Sequence, residues 1–242
     1  MSKKLTSIAR RALKQPDFIT IVILRTLGNF LVLLALFMTL RTFQKPVGQE
    51  LRYLADQISH KQYVLADDAD VTFQKDYSRH KGTGGLAGVS DSTVEIIKPV
   101  DPNYSIVIPK INANALIVPN VDTSNRLAYL DALKRGVAHA EGTANPGEGG
   151  HMFFFAHSTD NFWNVTRYNA VFYLLYKLEN GDDVNIYYKG VRHKYTVVGH
   201  EIVDPSQVDF LTRKTPDELV TLQTCWPLGT TFKRYLVFAK PQ

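Results

Sequence analysis

Hydrophobic residues fall along the chain in three textures. From Phe18 to Leu40 they are almost continuous, in "FITIVILRTLGNFLVLLALFMTL". As a helix this stretch reaches roughly 34 Å, enough to cross a bilayer core with some tilt. Arg25 and Asn29 interrupt its first half, and Arg25 can extend its charge toward the headgroups. The apolar positions then thin out to Leu51, Leu54, Ile58 and Leu65, the spacing of a weak amphipathic helix. "HKGTGGLAGVSDST" (His80–Thr93) has no period at all and predicts a flexible connector.

The third texture starts near Pro99. Short β-branched and aromatic runs alternate with turn residues: "YSIVIPKI", "ALIVPNV", "HMFFFAH", "DDVNIYYKG", "RHKYTVVGHEIV", "LVTLQTC" and "KRYLVFA". Seven or eight short strands in about 140 residues predict an all-β barrel or sandwich. "SNRLAYLDALKRGVAHA" and "FWNVTRYNAVFYLLYKL" predict helical inserts. The expected organisation is a basic tail over 1–17, a transmembrane signal anchor over 18–40, a linker with a short helix over 41–98, and a β-domain over 99–242.

Net charge is +5 over 242 residues, but it is unevenly placed. Residues 1–45 carry eight Lys or Arg against the single acid Asp17, so the rest of the chain is slightly acidic. The basic character belongs to the N-terminus rather than to a binding face, which argues against nucleic acid as a partner. Five Lys or Arg precede the apolar stretch, which places the N-terminus in the cytoplasm. "RTFQKPV" after it lacks a small-residue cleavage pattern, so the anchor is expected to stay and the β-domain to lie outside the cytoplasm. "DDAD" (Asp67–Asp70) lacks the spacing and distal Glu of a calcium loop and reads as a solvated acidic turn.

The chain has one cysteine, Cys225, so an intrachain disulfide and a multi-cysteine zinc site are excluded. A free cysteine is often a small core residue, and spacing alone leaves that reading open. Alternation puts Thr221, Gln223 and Cys225 on one face of a strand, and Val220, Leu222 and Thr224 on the other. A hairpin through "WPLGTT" is expected to set Cys225 opposite about Phe232, and Arg234 opposite about Gln223. A guanidinium beside a thiol lowers its pKa and offers donors to an oxyanion. A thiol nucleophile also needs a proton carrier. Of seven histidines, His157 ends an apolar run where a strand meets a loop, but the pattern alone does not separate it from His139 or His151.

The motifs around these residues resemble those of the sortases, membrane-anchored cysteine transpeptidases of bacterial surfaces. "TLQTC" is similar to the family's TLxTC, with Cys225 at the nucleophile; Arg234 in "FKRYLV" matches the catalytic arginine, and "FFFAHST" puts the catalytic histidine at His157. "IVIPKINANALIV", "LKRGVAHAEGTANPGEGG" and "LENGDDVNIYY" resemble further family stretches in the same order, so the likeness covers about residues 100–240. Ala156 stands where the family usually has glycine. Asp101-Pro102 is followed by Asn103 rather than the aromatic of a lid motif, and no second apolar stretch follows the last strand. These departures favour a housekeeping or class D/E-like enzyme over a pilin-polymerising class C one.

The resemblance implies a closed eight-stranded barrel with short helical inserts, preceded by the transmembrane helix. It implies cleavage of an LPxTG-type C-terminal sorting signal on a secreted protein through a Cys225 thioester. An amine acceptor, a peptidoglycan precursor or a pilin lysine, then resolves the thioester. No cofactor or metal is implied. Thr224 is expected to contribute to substrate recognition. Ile202, Val203, Val208 and Phe210, before the nucleophile strand, are expected to wall a groove for the Leu-Pro pair. Two rival readings use the same residues: an extracytoplasmic cysteine peptidase acting hydrolytically, and a non-catalytic surface binding module on the same barrel.

Overall fold

The computed structural model describes residues 16–59, 61–66, 94–158, 170–211 and 213–242. The Gly/Ser-rich stretch, the "DDAD" turn and the first eight residues (162–169) of the second expected helical insert fall outside them.

The chain divides into two compact units, Met1–Val47 and Gly48–Gln242. Helix α1, Pro16–Ile58, begins in the first unit and ends in the second. Within it, Phe18–Arg41 has a mean hydropathy of 2.2 and no buried residue, which fits a single-pass membrane anchor. The expected amphipathic segment is the C-terminal part of this same helix, and there Tyr53 is buried.

In the second unit a parallel ribbon pairs β1 (Gln62–Leu65) with β2 (Val94–Ile97). Its Leu65 and Ile97 pack with Val107 and Tyr187. The main body is the closed eight-stranded barrel that the resemblance implied. Its strands are β3 (Tyr104–Ile108), β4 (Ala113–Val121), β5 (Val137–Ala140), β6 (His151–Phe155), β7 (Asp183–Tyr188), β8 (Val191–Val203), β9 (Leu219–Trp226) and β10 (Lys233–Pro241). Around the barrel the order is β10-β8-β7-β3-β4-β5-β6-β9, closing on β10. Closure leaves these strands without an open edge. Most pairs are antiparallel; β4 with β5 and β6 with β9 are parallel. In "VDPNYS", the Asn103 and Pro102 carbonyls accept hydrogen bonds from Lys189 N and Gly190 N, lengthening the β3–β7 side of the barrel.

Alternation sorts the side chains into two cores. Met152, Phe154, Val220, Leu222, Tyr235 and Val237 fill the barrel. Phe153, Phe155 and Leu236 point outward and are covered by a second cluster that includes Leu133 and Phe210. Leu133 comes from helix α2, Arg126–Arg135. Asn125 caps α2: its Oδ1 accepts from Leu127 N at 3.1 Å and Ala128 N at 3.2 Å. The helix stops at Gly136, where a Cβ would sit 2.2 Å from the Leu116 carbonyl oxygen. Only glycine lets the chain pass that close to β4 and enter β5.

β5 lies inside the first expected helical insert. "VAHA" follows α2 after one glycine and is buried at all four positions, so it offers no alternation to read. Of the second insert, the described part is a run of turns and a 3₁₀ turn at Leu175–Lys177.

Candidate active site

The site is built on the outer face of the barrel, where β6, β9 and β10 lie side by side. Cys225 is next to the last residue of β9, and Arg234 is the second residue of β10. The two are direct partners in the antiparallel ladder. The expected register was two residues out: Leu236, not Arg234, faces Gln223. The six-residue Pro227–Phe232 connection sets this offset, and its length relative to the ladder is not visible in a hydrophobic pattern.

The Arg234 guanidinium is fixed from behind. Its Nη1 donates to the carbonyls of Thr231 and Lys233, each at 3.1 Å. That uses two of five N–H groups and leaves three for a ligand.

Burial raises the Cys225 thiol above its ordinary pKa, and the Arg234 charge offsets only part of the rise. The sequence-based expectation of a lowered thiol pKa is therefore corrected. A cation favours thiolate, but here the loss of water around sulfur outweighs it.

On the other side of β9, the parallel ladder pairs Phe155 of β6 with Gln223. The Ala156 N–H extends it by donating to the Gln223 carbonyl at 3.1 Å. The ladder's last pair is Phe155–Gln223, and the half-buried His157 follows two residues after it, at the end of β6 that lies beside the Cys225 end of β9.

The two other candidate histidines are committed elsewhere. His139 is 3% exposed. Thr143 Oγ1 donates to the Ala140 carbonyl at 2.8 Å, so it accepts from His139 Nε2–H, also at 2.8 Å. Nδ1 is then the acceptor for the Tyr104 hydroxyl at 2.7 Å. This is a satisfied neutral ring, and burial lowers its pKa to about 4. His151 is 5% exposed, with Nε2 at 2.8 Å from Thr221 Oγ1 and Nδ1 without a partner among the described residues. Burial, then the charge of Arg213, lowers its pKa to about 4.

Thr224, expected at the substrate, is 2% exposed and faces inward. Its hydroxyl donates to the Ala156 carbonyl at 3.2 Å. The structure therefore places it at the β6–β9 seam, holding the residue before His157, and not on the accessible face.

A cavity of about 430 Å³ opens beside the pair, with Gln223 and Arg234 in its wall. One side is α2 and the turn before it, through Thr123, Ser124, Arg126 and Tyr129; the floor is Phe153 and Phe155. The other side is the β8–β9 connection, including Val208 and Phe210. Of the four apolar residues expected to wall a groove, Val208 and Phe210 do line this cavity. Val203 faces Arg234 across the β8–β10 ladder but is buried under the outer cluster, and Ile202 is exposed outside the lining.

Tyr129 was missed by the sequence reading. Its ring stacks on Phe155 at 5.1 Å and 10°. Burial keeps its hydroxyl protonated; the nearby Cys225 acts in the same direction and Arg234 against it. Its position was legible as the first member of an i, i+3, i+4 series with Ala132 and Leu133. Among the described residues no group of His, Cys, Asp and Glu could hold a metal ion.

A family model described as Sortase domain matches residues 106–242. Among solved structures, sortase C-1 from Actinomyces oris is similar at 31% identity, covering 59% of this chain and 75% of that one, with a TM-score of 0.49. A lid mutant of sortase A from Corynebacterium diphtheriae is similar at 28% identity over 59% and 70% of the two chains, with a TM-score of 0.48. The sortase D5 transpeptidase of Clostridium perfringens is similar at 28% identity over 60% and 82%, with a TM-score of 0.47. No curated protein matches. The family match takes in more than half of the chain, including all the barrel strands after the start of β3, and the chain belongs to the sortase family of cysteine transpeptidases.

Proposed function

We propose that this protein cleaves an LPxTG-type C-terminal sorting signal on secreted proteins and passes the new C-terminus to an amine. The observation that carries the proposal is the Cys225–Arg234 rung, with Arg234 in the wall of an outer-face cavity and His157 two residues after the adjoining strand β6.

At rest Cys225 holds its proton, because burial raises its pKa. Attack on the Thr–Gly carbonyl moves that proton from sulfur to the His157 imidazole as the S–C bond forms. The carbonyl electron pair moves onto oxygen, and the free N–H groups of Arg234 stabilise that charge. Collapse of the tetrahedral intermediate breaks the C–N bond, and His157 returns its proton to the departing glycine amine. The product is a thioester on Cys225. An incoming amine gives its proton to His157 and attacks the thioester; the C–S bond breaks and sulfur recovers the proton. A peptidoglycan precursor or a pilin lysine serves as acceptor, and water in its place gives hydrolysis.

The apolar helix holds the enzyme in the cell membrane, with the N-terminus in the cytoplasm and the barrel outside. This brings it close to secreted substrates and lipid-linked precursors.

The test uses the full chain in detergent micelles with an LPxTG-type fluorogenic peptide, with and without an amine, beside Cys225→Ala and His157→Ala. The expected result is an acyl adduct on Cys225 by intact mass and an amine-dependent product, with neither in Cys225→Ala. Cleavage that ignores the amine would support the hydrolytic reading instead. An unmodified Cys225 across a library of sorting peptides would overturn the proposal.

A further inference from the structure

Directly behind the Cys225–Arg234 rung lies a cluster of aromatic rings tilted against one another. Trp226 and Tyr235 follow Cys225 and Arg234 in sequence, so alternation turns them to the other side of the sheet. Their centroids are 5.4 Å apart, and Trp226 packs in turn on Tyr176 at 5.4 Å. The cluster sits where the ladder is running out. Lys233–Trp226 is the last rung between β9 and β10, and the β6–β9 ladder ends at Phe155–Gln223. The nucleophile therefore lies at the end of β9, past the last β6 pair, and its ladder pairing there is to β10 alone.

What fixes the far end of this cluster is helix α1. The Tyr176 hydroxyl donates to Glu50 Oε1, and Lys177 Nζ lies 3.4 Å from Glu50 Oε2. The Lys177 ammonium also lies 4.8 Å from the Tyr176 ring centroid and 5.3 Å from that of Tyr53, one turn along from Glu50. Burial and the bond to Glu50 push the Tyr176 phenol well above its ordinary pKa, so it remains a donor. Glu50 and Tyr53 belong to the same compact unit as the barrel.

We propose that Glu50 and Tyr176 are positioning residues for the Cys225–Arg234 pair, acting through Trp226. The helix carboxylate holds Tyr176, Tyr176 holds Trp226, and Trp226 holds the strand tip. The last turns of the anchor helix are then part of the catalytic unit and not a spacer ahead of it. This inference rests on the reading of Cys225 and Arg234 as the reacting pair.

The chain has two tryptophans, so Trp163→Phe leaves Trp226 as the only one. In that background the full-length protein is compared with its Glu50→Ala, Glu50→Gln and Tyr176→Phe forms. The readouts are Trp226 emission, the rate of Cys225 alkylation across pH, and peptide kcat and KM. Glu50→Ala and Tyr176→Phe should shift Trp226 emission to the red and change the alkylation profile. They should also lower kcat about tenfold or more at unchanged KM, the cost of a misplaced reacting group. Glu50→Gln still accepts the phenol proton and should stay closer to the parent. Lys110→Ala removes ion pairs to Glu179 and Asp182 elsewhere on the barrel, and serves as the control for a plain loss of stability. If Glu50→Ala and Tyr176→Phe leave emission and alkylation at the parent's values, or if activity only tracks the melting temperature as in Lys110→Ala, the inference is wrong. A parent protein that transfers no peptide would sink the proposed function, while emission and alkylation would still decide this linkage.

Discussion

Arg234 stands directly opposite Cys225 on the neighbouring antiparallel strand, with its guanidinium tied to the Thr231 and Lys233 carbonyls. The pairing has two separable effects. The charge opposes the rise in thiol pKa that burial imposes. The remaining N–H groups offer donors to an oxyanion. Arg234→Ala should move the pH midpoint of Cys225 alkylation further upward, because the charge that lowers the pKa is lost while burial remains. Arg234→Lys keeps a charge but not the planar set of donors, so it should restore much of the alkylation profile and little of the turnover. Loss of turnover in both is expected at about 100-fold or more. An alkylation profile in Arg234→Ala that stays put would remove the electrostatic role.

Thr224 should act on the reaction through the His157 segment. Thr224→Val keeps the shape but leaves the Ala156 carbonyl short of a hydrogen bond in a buried seam, at a cost of about 1–3 kcal/mol. Thermal unfolding should show that loss, and kcat should fall with it. Thr224→Ser keeps the hydroxyl and should retain most of both. Equal effects from Val and Ser would assign the role to the β-branched methyl and not to the bond.

The alternation within β9 and within β10 was legible in the sequence because a strand's period of two does not depend on its neighbours. Placing Cys225 and Arg234 on one face also needed an assumed hairpin register, and the shared face survived because the true register differs by two residues, an even step. The rung itself was not legible, because a six-residue connection leaves the offset free. Nor was the direction of the thiol's shift, since desolvation depends on what the rest of the chain brings over the sulfur. Val203 and Phe210 read alike in sequence, as apolar residues near a loop. The fold buries both in the outer cluster, and of the two only Phe210 also lines the cavity. The choice among His139, His151 and His157 also needed tertiary partners: Tyr104 and Thr143 reach His139 from 35 residues before it and 4 after it.

Tyr129 combines an apolar contact with a hydroxyl in the cavity wall, and two substitutions separate them. Tyr129→Ala loses the stack on Phe155 and should cost about 1–3 kcal/mol of stability and raise KM. Tyr129→Phe keeps the stack and should melt close to the parent. If the hydroxyl meets the substrate or the thiol, Tyr129→Phe will still lower kcat/KM several-fold and alter the alkylation profile. A Tyr129→Phe protein indistinguishable from the parent in both assays would reduce the residue to a packing role.

The two buried histidines should set the acid limit of the fold. His139 and His151 each titrate at about 4 in the folded protein. In the unfolded chain a histidine titrates at about 6.5. Between these values the unfolded state binds more protons, so stability rises with pH across that window and is lost as pH falls through it. Each histidine contributes up to about 3 kcal/mol, present in full above pH ~6.5 and gone below pH ~4. The physical cause at His139 is specific: protonating Nδ1 would point an N–H at the Tyr104 hydroxyl, which now donates to it. Melting temperatures measured from pH 7 to pH 4 should therefore fall steeply. His139→Gln should be less stable at pH 7 yet show a shallower pH slope than the parent, because one of the two titrating groups is gone. An unchanged slope in His139→Gln would mean that the acid sensitivity comes from other groups.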